Sequence, residues 1–121
     1  MAVASFTDVY VGSTGKKLVI VITDENNLPR PLTTGGSTQV KLQGKSADLP
    51  GKTIDVAGTI TDAPNGVVTW AGIGNGSVYV SLSDLGSLPE ATFDLQAKYT
   101  DSGGLVDYGP VFQLTWKKPL L

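Results

Sequence analysis

Short runs of alternating apolar residues predict an all-β antiparallel sandwich. They are separated by clusters of Gly, Pro, Asn, Asp and Ser, and no long segment keeps a helical period. The 121 residues suit one domain over residues 1–121, with a strand core at about 6–116 between apolar arms at 1–5 and 117–121. There is no cysteine, so the sandwich has no disulfide and depends on its core.

A first strand is expected over residues 6–11, ended by Gly12-Ser13-Thr14-Gly15. Residues 17–23 follow, with Leu18, Ile20 and Ile22 on one face and Val19 and Val21 on the other, the pattern of a central or covered strand. Asp24-Glu25-Asn26-Asn27-Leu28-Pro29 turns the chain, and Pro29 and Pro31 forbid regular pairing there. A short strand at 38–42 precedes a longer one at 52–61 that aligns Ile54, Val56 and Ile60. Pro64-Asn65-Gly66 predicts a tight type I′ hairpin into a strand at 67–71, where Val68 and Trp70 point together.

Gly72-Ile73-Gly74-Asn75-Gly76 reads as a flexible loop, and residues 77–82 as the next strand. Ser83-Asp84-Leu85-Gly86 allows one helical turn capped by Ser83 or Asp84. Residues 92–99 alternate most clearly, with Phe93, Leu95, Ala97 and Tyr99 inward and Thr92, Asp94, Gln96 and Lys98 outward. Asp101-Ser102-Gly103-Gly104 turns into a strand at 105–108, and 111–116 closes the sheet with Phe112, Leu114 and Trp116 aligned. The total of about eight or nine short strands is that of an immunoglobulin-like antiparallel β-sandwich.

Composition narrows the chemistry. Histidine is absent, which removes common serine and cysteine triads and most zinc and non-haem iron sites. The carboxylates sit mostly at strand ends, and nothing in their spacing pairs them across a cleft as glycosidases require. Asp24, Glu25, Asn26 and Asn27 offer oxygen ligands without the spacing of a calcium loop, so they read as turn formers. The expectation is a protein that is not an enzyme and needs no metal or cofactor. Nine basic residues stand against eleven acidic ones and Arg30 is the sole arginine, which argues against nucleic acid. No stretch has the length of a membrane helix, and the N-terminus lacks the pattern of a secretory signal, so neither membrane nor export is expected.

Trp70 and Trp116 share faces with core residues and are expected inside, rather than as a sugar platform alongside Tyr10, Tyr79 and Tyr108. Tyr79 alternates with Val78 and Val80 and is expected to mark a contact patch. Val3 in the first arm and Pro119, Leu120 and Leu121 in the last are further candidate assembly contacts, because apolar arms dock in assemblies.

The order of these elements resembles the N-terminal immunoglobulin-like domain of the phage baseplate upper protein family. The matching segments are Gly12-Ser13-Thr14-Gly15, Thr23-Asp24 leading through Pro29 to Leu32, and Thr38-Gln39-Val40-Lys41-Leu42. Asp62 followed by Asn65-Gly66-Val67-Val68-Thr69-Trp70, then residues 93–99, a glycine turn and Pro110-Val111-Phe112-Gln113-Leu114, complete them. The resemblance implies a non-enzymatic virion subunit, made in the host cytoplasm and placed in a baseplate or other tail-associated structure. Its partners would be other virion proteins, in a homo-oligomer or symmetric assembly. A carbohydrate-binding or host-adhesion module and a capsid decoration protein are the alternatives on the same fold.

Overall fold

The computed structural model describes residues 8–120. Among the described residues nine strands form two sheets: β1 (Asp8–Tyr10), β2 (Lys17–Val21), β3 (Gln39–Lys45), β4 (Thr53–Ala57), β5 (Thr59–Asp62), β6 (Val67–Ala71), β7 (Glu90–Thr100), β8 (Val106–Tyr108) and β9 (Phe112–Lys117). One sheet has the order β1-β9-β7-β3-β4, with β8 continuing along the same side of β7 as β9; the other is β2-β6-β5. Apart from β1, which runs parallel to β9, all pairings are antiparallel. In immunoglobulin terms the small sheet holds strands B, E and D, and the large one C, F and G with an added C′.

The predicted alternation of β7 holds along its whole length. Phe93, Leu95, Ala97 and Tyr99 are buried, while Asp94 is exposed and Gln96 and Lys98 are half-buried. They meet Leu18, Ile20, Val68 and Trp70 from the opposite sheet in one core. Both tryptophans lie inside it, and each indole N–H finds a carbonyl: Trp70 donates to Val56 O at 2.9 Å and Trp116 to Ile73 O at 3.0 Å. Burying an aromatic without stranding its polar end is what allows both rings into the core.

Several sequence expectations change. Residues 77–82 are no strand: a turn leads to Ser81, which caps the short helix α1 (Leu82–Leu85) by a reciprocal capping box with Asp84. Tyr79 is consequently buried at 2% exposure and stacks on Trp116, with ring centroids 6.3 Å apart, so it marks no contact patch. Side chains alternate only on extended backbone, and the turn instead sends Tyr79 and Val80 both inward. The long strand at 52–61 breaks at Gly58, where the chain leaves the large sheet as β4 and joins the small one as β5. Among the described residues β2 pairs with β6 alone.

The glycine-rich segment at 72–76 is anchored rather than loose. Ile73 is fully buried, Gly12 N–H donates to Gly74 O at 2.8 Å, and Ile73 N–H donates to Lys16 O at 3.2 Å. The β5–β6 turn is a 3-10 turn over Ala63–Asn65, closed by Gly66 at φ 71°, instead of a type I′ pair. Pro64 presets the right-handed φ that suits a 3-10 turn, and Asn65 Nδ2 bridges back to Asp62 Oδ2 at 2.9 Å. At the C-terminus β9 continues through Lys117, and Lys118 N–H donates to Pro89 O at 3.0 Å, so the apolar arm begins only at Pro119.

Candidate functional site

One end of the sandwich gathers the β2–β3, β5–β6 and β7–β8 connections. Two of them carry the same turn. In residues 24–28 the Asp24 N–H donates to Leu28 O at 2.9 Å, Asn27 N–H donates to Asp24 O at 3.1 Å, and Asn27 adopts φ 61°. Asp24 Oδ1 accepts from Asn26 N–H at 2.8 Å and from Leu28 N–H at 3.1 Å. Residues 101–105 repeat every contact: Asp101 with Leu105 at 2.9 Å, Gly104 with Asp101 O at 3.0 Å, and Asp101 Oδ1 taking Gly103 and Leu105 N–H at 2.9 Å each. Gly104 has φ 86°. This is the three-residue hairpin loop with a left-handed last residue, locked by an aspartate at its first position.

Side chains tie the loops to each other. Thr33 N–H donates to Tyr99 Oη at 3.0 Å, and Ser102 N–H donates to Thr33 Oγ1 at 3.2 Å. Leu32 N–H donates to Ala63 O and Arg30 N–H to Ile22 O, at 2.8 and 2.9 Å. Arg30 forms an ion pair with Asp107 of β8, and its guanidinium carbon lies 5.0 Å from the Tyr99 ring centroid. The hydrogen bond to Asp107 raises the Arg30 pKa above its ordinary value, so the group is a fixed cation at any physiological pH.

Between the 22–30 hairpin and the β8–β9 link opens a cleft of about 470 Å³, lined by Ile22, Asp24, Glu25, Arg30, Asp107 and Tyr108 among others. That volume lies within the range of small-ligand sites. Its lining includes three carboxylates and one guanidinium, which is paired with Asp107. Glu25 is exposed, and Tyr108 is 58% exposed. A second, shallower groove of about 430 Å³ crosses the outer face of the large sheet past Gln43, Asp55, Asp94 and Gln96. Its polar groups are largely engaged with neighbours: Gln43 with Asp55, Gln113 with Asp94, and Gln96 with Gly109 O.

Of the assembly contacts expected from sequence, Pro119 and Leu120 are exposed, Leu120 to 96%, and Tyr79 is buried. Val3 and Leu121 lie outside the described residues. Sequence reasoning missed the Arg30, Tyr99 and Asp107 cluster. Two signals pointed to it: the single arginine held between Pro29 and Pro31, and the repeated pattern of Asp, two residues, Asn or Gly, then Leu. The Asp24 loop, weighed as a cation site, has one carboxylate oxygen committed to its own backbone. Among the described residues no group of three or more metal-ligating side chains converges, and no helix is long and apolar enough to cross a membrane.

Exposed apolar side chains concentrate beside this end. Leu105, Val106, Tyr108 and Val111 are 72, 44, 58 and 62% exposed and lie along β8 and its link to β9, on the sheet edge. No protein-family model matches the chain, and no curated protein is recovered as a relative.

Proposed function

We propose that this chain is a non-enzymatic structural subunit of a phage virion, a baseplate or tail-associated component that acts through protein–protein contacts. The observation that carries the reading is the run of exposed apolar side chains at Leu105, Val106 and Val111 on a sheet edge. Apolar side chains exposed along an edge strand suit a contact site, and such a strand offers main-chain hydrogen bonds to a neighbour. The resemblance of the segment order to baseplate upper proteins suggests the phage context, and an immunoglobulin-like sandwich is the fold that resemblance implies. In this reading the partners are other virion proteins, the copies form a homo-oligomer or another symmetric assembly, and the chain is made in the host cytoplasm before joining the particle.

The test is mass spectrometry and antibody labelling of purified particles, together with light scattering of the isolated chain. The chain is expected in the particles, and Val106→Lys is expected to reduce its incorporation without lowering its melting temperature. A chain recovered only outside particles, or a Val106→Lys variant that incorporates as well as the parent, refutes the reading.

A further inference from the structure

We propose that the two ends of the sandwich bind each other between copies, so that the chain associates head to tail. The charged side chains are sorted along its length. The end with the β2–β3, β5–β6 and β7–β8 connections carries Asp24, Glu25, Asp62, Asp101 and Asp107 against Arg30 alone, a net side-chain charge of −4. The opposite end, with the β1–β2, β3–β4 and β6–β7 connections and the close of β9, carries Lys16, Lys17, Lys45, Lys52, Lys117 and Lys118. Asp8, Asp48, Asp84 and Glu90 offset four of these, leaving +2. Between the ends Lys41 and Lys98 cancel Asp55 and Asp94, so the formal charge of −2 comes from two ends of opposite sign.

That sorting selects the pairing. Of the contacts the ends can make, acidic on acidic and basic on basic bring like charges together, and acidic on basic alone brings opposite ones. The groups are available for it. Arg30 is spent on Asp107, whereas Glu25 is exposed and makes no hydrogen bond among the described residues. At the other end Lys17 is exposed and makes no ion pair among the described residues. Each end also exposes apolar side chains: Leu28 and Leu105 in the twin hairpins, Val78 and Leu82 at the start of α1. The same contact therefore removes apolar surface from water as it brings opposite charges together. Being heterologous, it leaves one free end of each sign on every pair, so growth continues past the dimer into a ring or a filament. This inference rests on the proposed action through protein–protein contacts and is independent of the virion setting.

The experiment is sedimentation velocity of the intact chain at rising concentration, in low and in high salt. At about 20 mM salt the weight-average mass is expected to grow beyond that of a dimer, and about 500 mM salt should weaken association by roughly tenfold or more. Glu25→Lys and Lys17→Glu, both at exposed positions and expected to melt like the parent, should each weaken it by roughly tenfold. Their equimolar mixture joins the unaltered basic end of one to the unaltered acidic end of the other, and should form dimers with the parental affinity. The proposal is overturned if the parent stays monomeric at about 1 mM, if association stops at a dimer or ignores salt, or if the mixture associates no better than the separate variants. Incorporation into particles is read separately. A chain that enters particles yet stays monomeric alone overturns this inference only, and one that self-associates but is absent from particles overturns the virion reading only.

Discussion

Replacing Gly58 by alanine tests the sharpest packing constraint in the sandwich. Gly58 is the residue at which the chain changes sheets, and its N–H donates to Val40 O at 2.7 Å. Its backbone needs no left-handed conformation, so the cost of a side chain is steric. A Cβ there would sit 2.6 and 2.8 Å from Trp70 Cε2 and Cζ2 and 2.8 Å from Val68 Cγ1. Carbon atoms rest at about 3.5–4.0 Å, so the indole must retreat by about 1 Å. Trp70 is 1% exposed and has no space to retreat into without loosening its bond to Val56 O. Overpacking costs about 1–3 kcal/mol and the weakened hydrogen bond about 1 kcal/mol, while the stiffer unfolded chain returns about 0.4–1 kcal/mol. The net expectation is a loss of about 2 kcal/mol, a fall of roughly 8 °C in melting temperature for a domain of this size. Urea unfolding followed by tryptophan fluorescence and circular dichroism measures it. In a cycle with Trp70→Phe, the new methyl occupies space the smaller ring vacates, so the double variant should be more stable than additivity by about 1 kcal/mol. A neutral Gly58→Ala, or a cycle additive within about 0.5 kcal/mol, refutes the reasoning.

Gly66→Ala combines a left-handed φ of 71° with a Cβ placed 2.5 Å from Ile22 O and 2.7 Å from Arg30 O, and should cost at least about 2 kcal/mol by chemical denaturation. The carboxyl of Asp84 is held below its ordinary 3.8 chiefly by the Ser81 N–H, with help from the Ser81 hydroxyl and Lys52 against partial burial. That stabilisation is complete above the ordinary value and disappears as pH falls through the lowered folded value. Asp84→Asn should therefore lose about 1 kcal/mol at neutral pH, with the gap to the parent closing in acid, as melting across a pH series reads. Removing residues 119–121 should leave circular dichroism and melting unchanged, because Pro119 and Leu120 are exposed beyond the last strand; unfolding of the shortened chain would assign the arm to the domain itself.

The sheet faces were legible because alternation is a local property. Residues 92–99 show it, and Phe93, Leu95, Ala97 and Tyr99 are buried as their spacing requires. The run at 77–82 is rich in strand formers, yet Ser81 and Asp84 satisfy each other's backbone donors and the helix forms instead. That signal was present at the spacing of a capping box, with Asp standing where Glu is usual. Gly58 inside an apparent strand likewise signalled a break. The meeting of Arg30 with Asp107 was not readable, since it joins residues 77 apart through the pairing of two sheets. Nor was the burial of Ile73 among glycines, where the indole of Trp116 reaches its carbonyl from 43 residues away.

The twin hairpins separate what shapes a loop from what a loop displays. Asp24 and Asp101 dictate the path of their turns through their own carboxylates, while Glu25, Asn26, Ser102 and Gly103 sit at the tips and lend those turns only backbone groups. Side chains at the tips can therefore change without rewriting the instructions for folding, much as characters are exchanged in a fixed typeface frame. A lineage using this domain can diversify what it recognises faster than its scaffold diverges. A library randomised at Glu25, Asn26 and Ser102 should thus retain the parental melting temperature in most members, whereas one randomised at Asp24 and Asp101 should not.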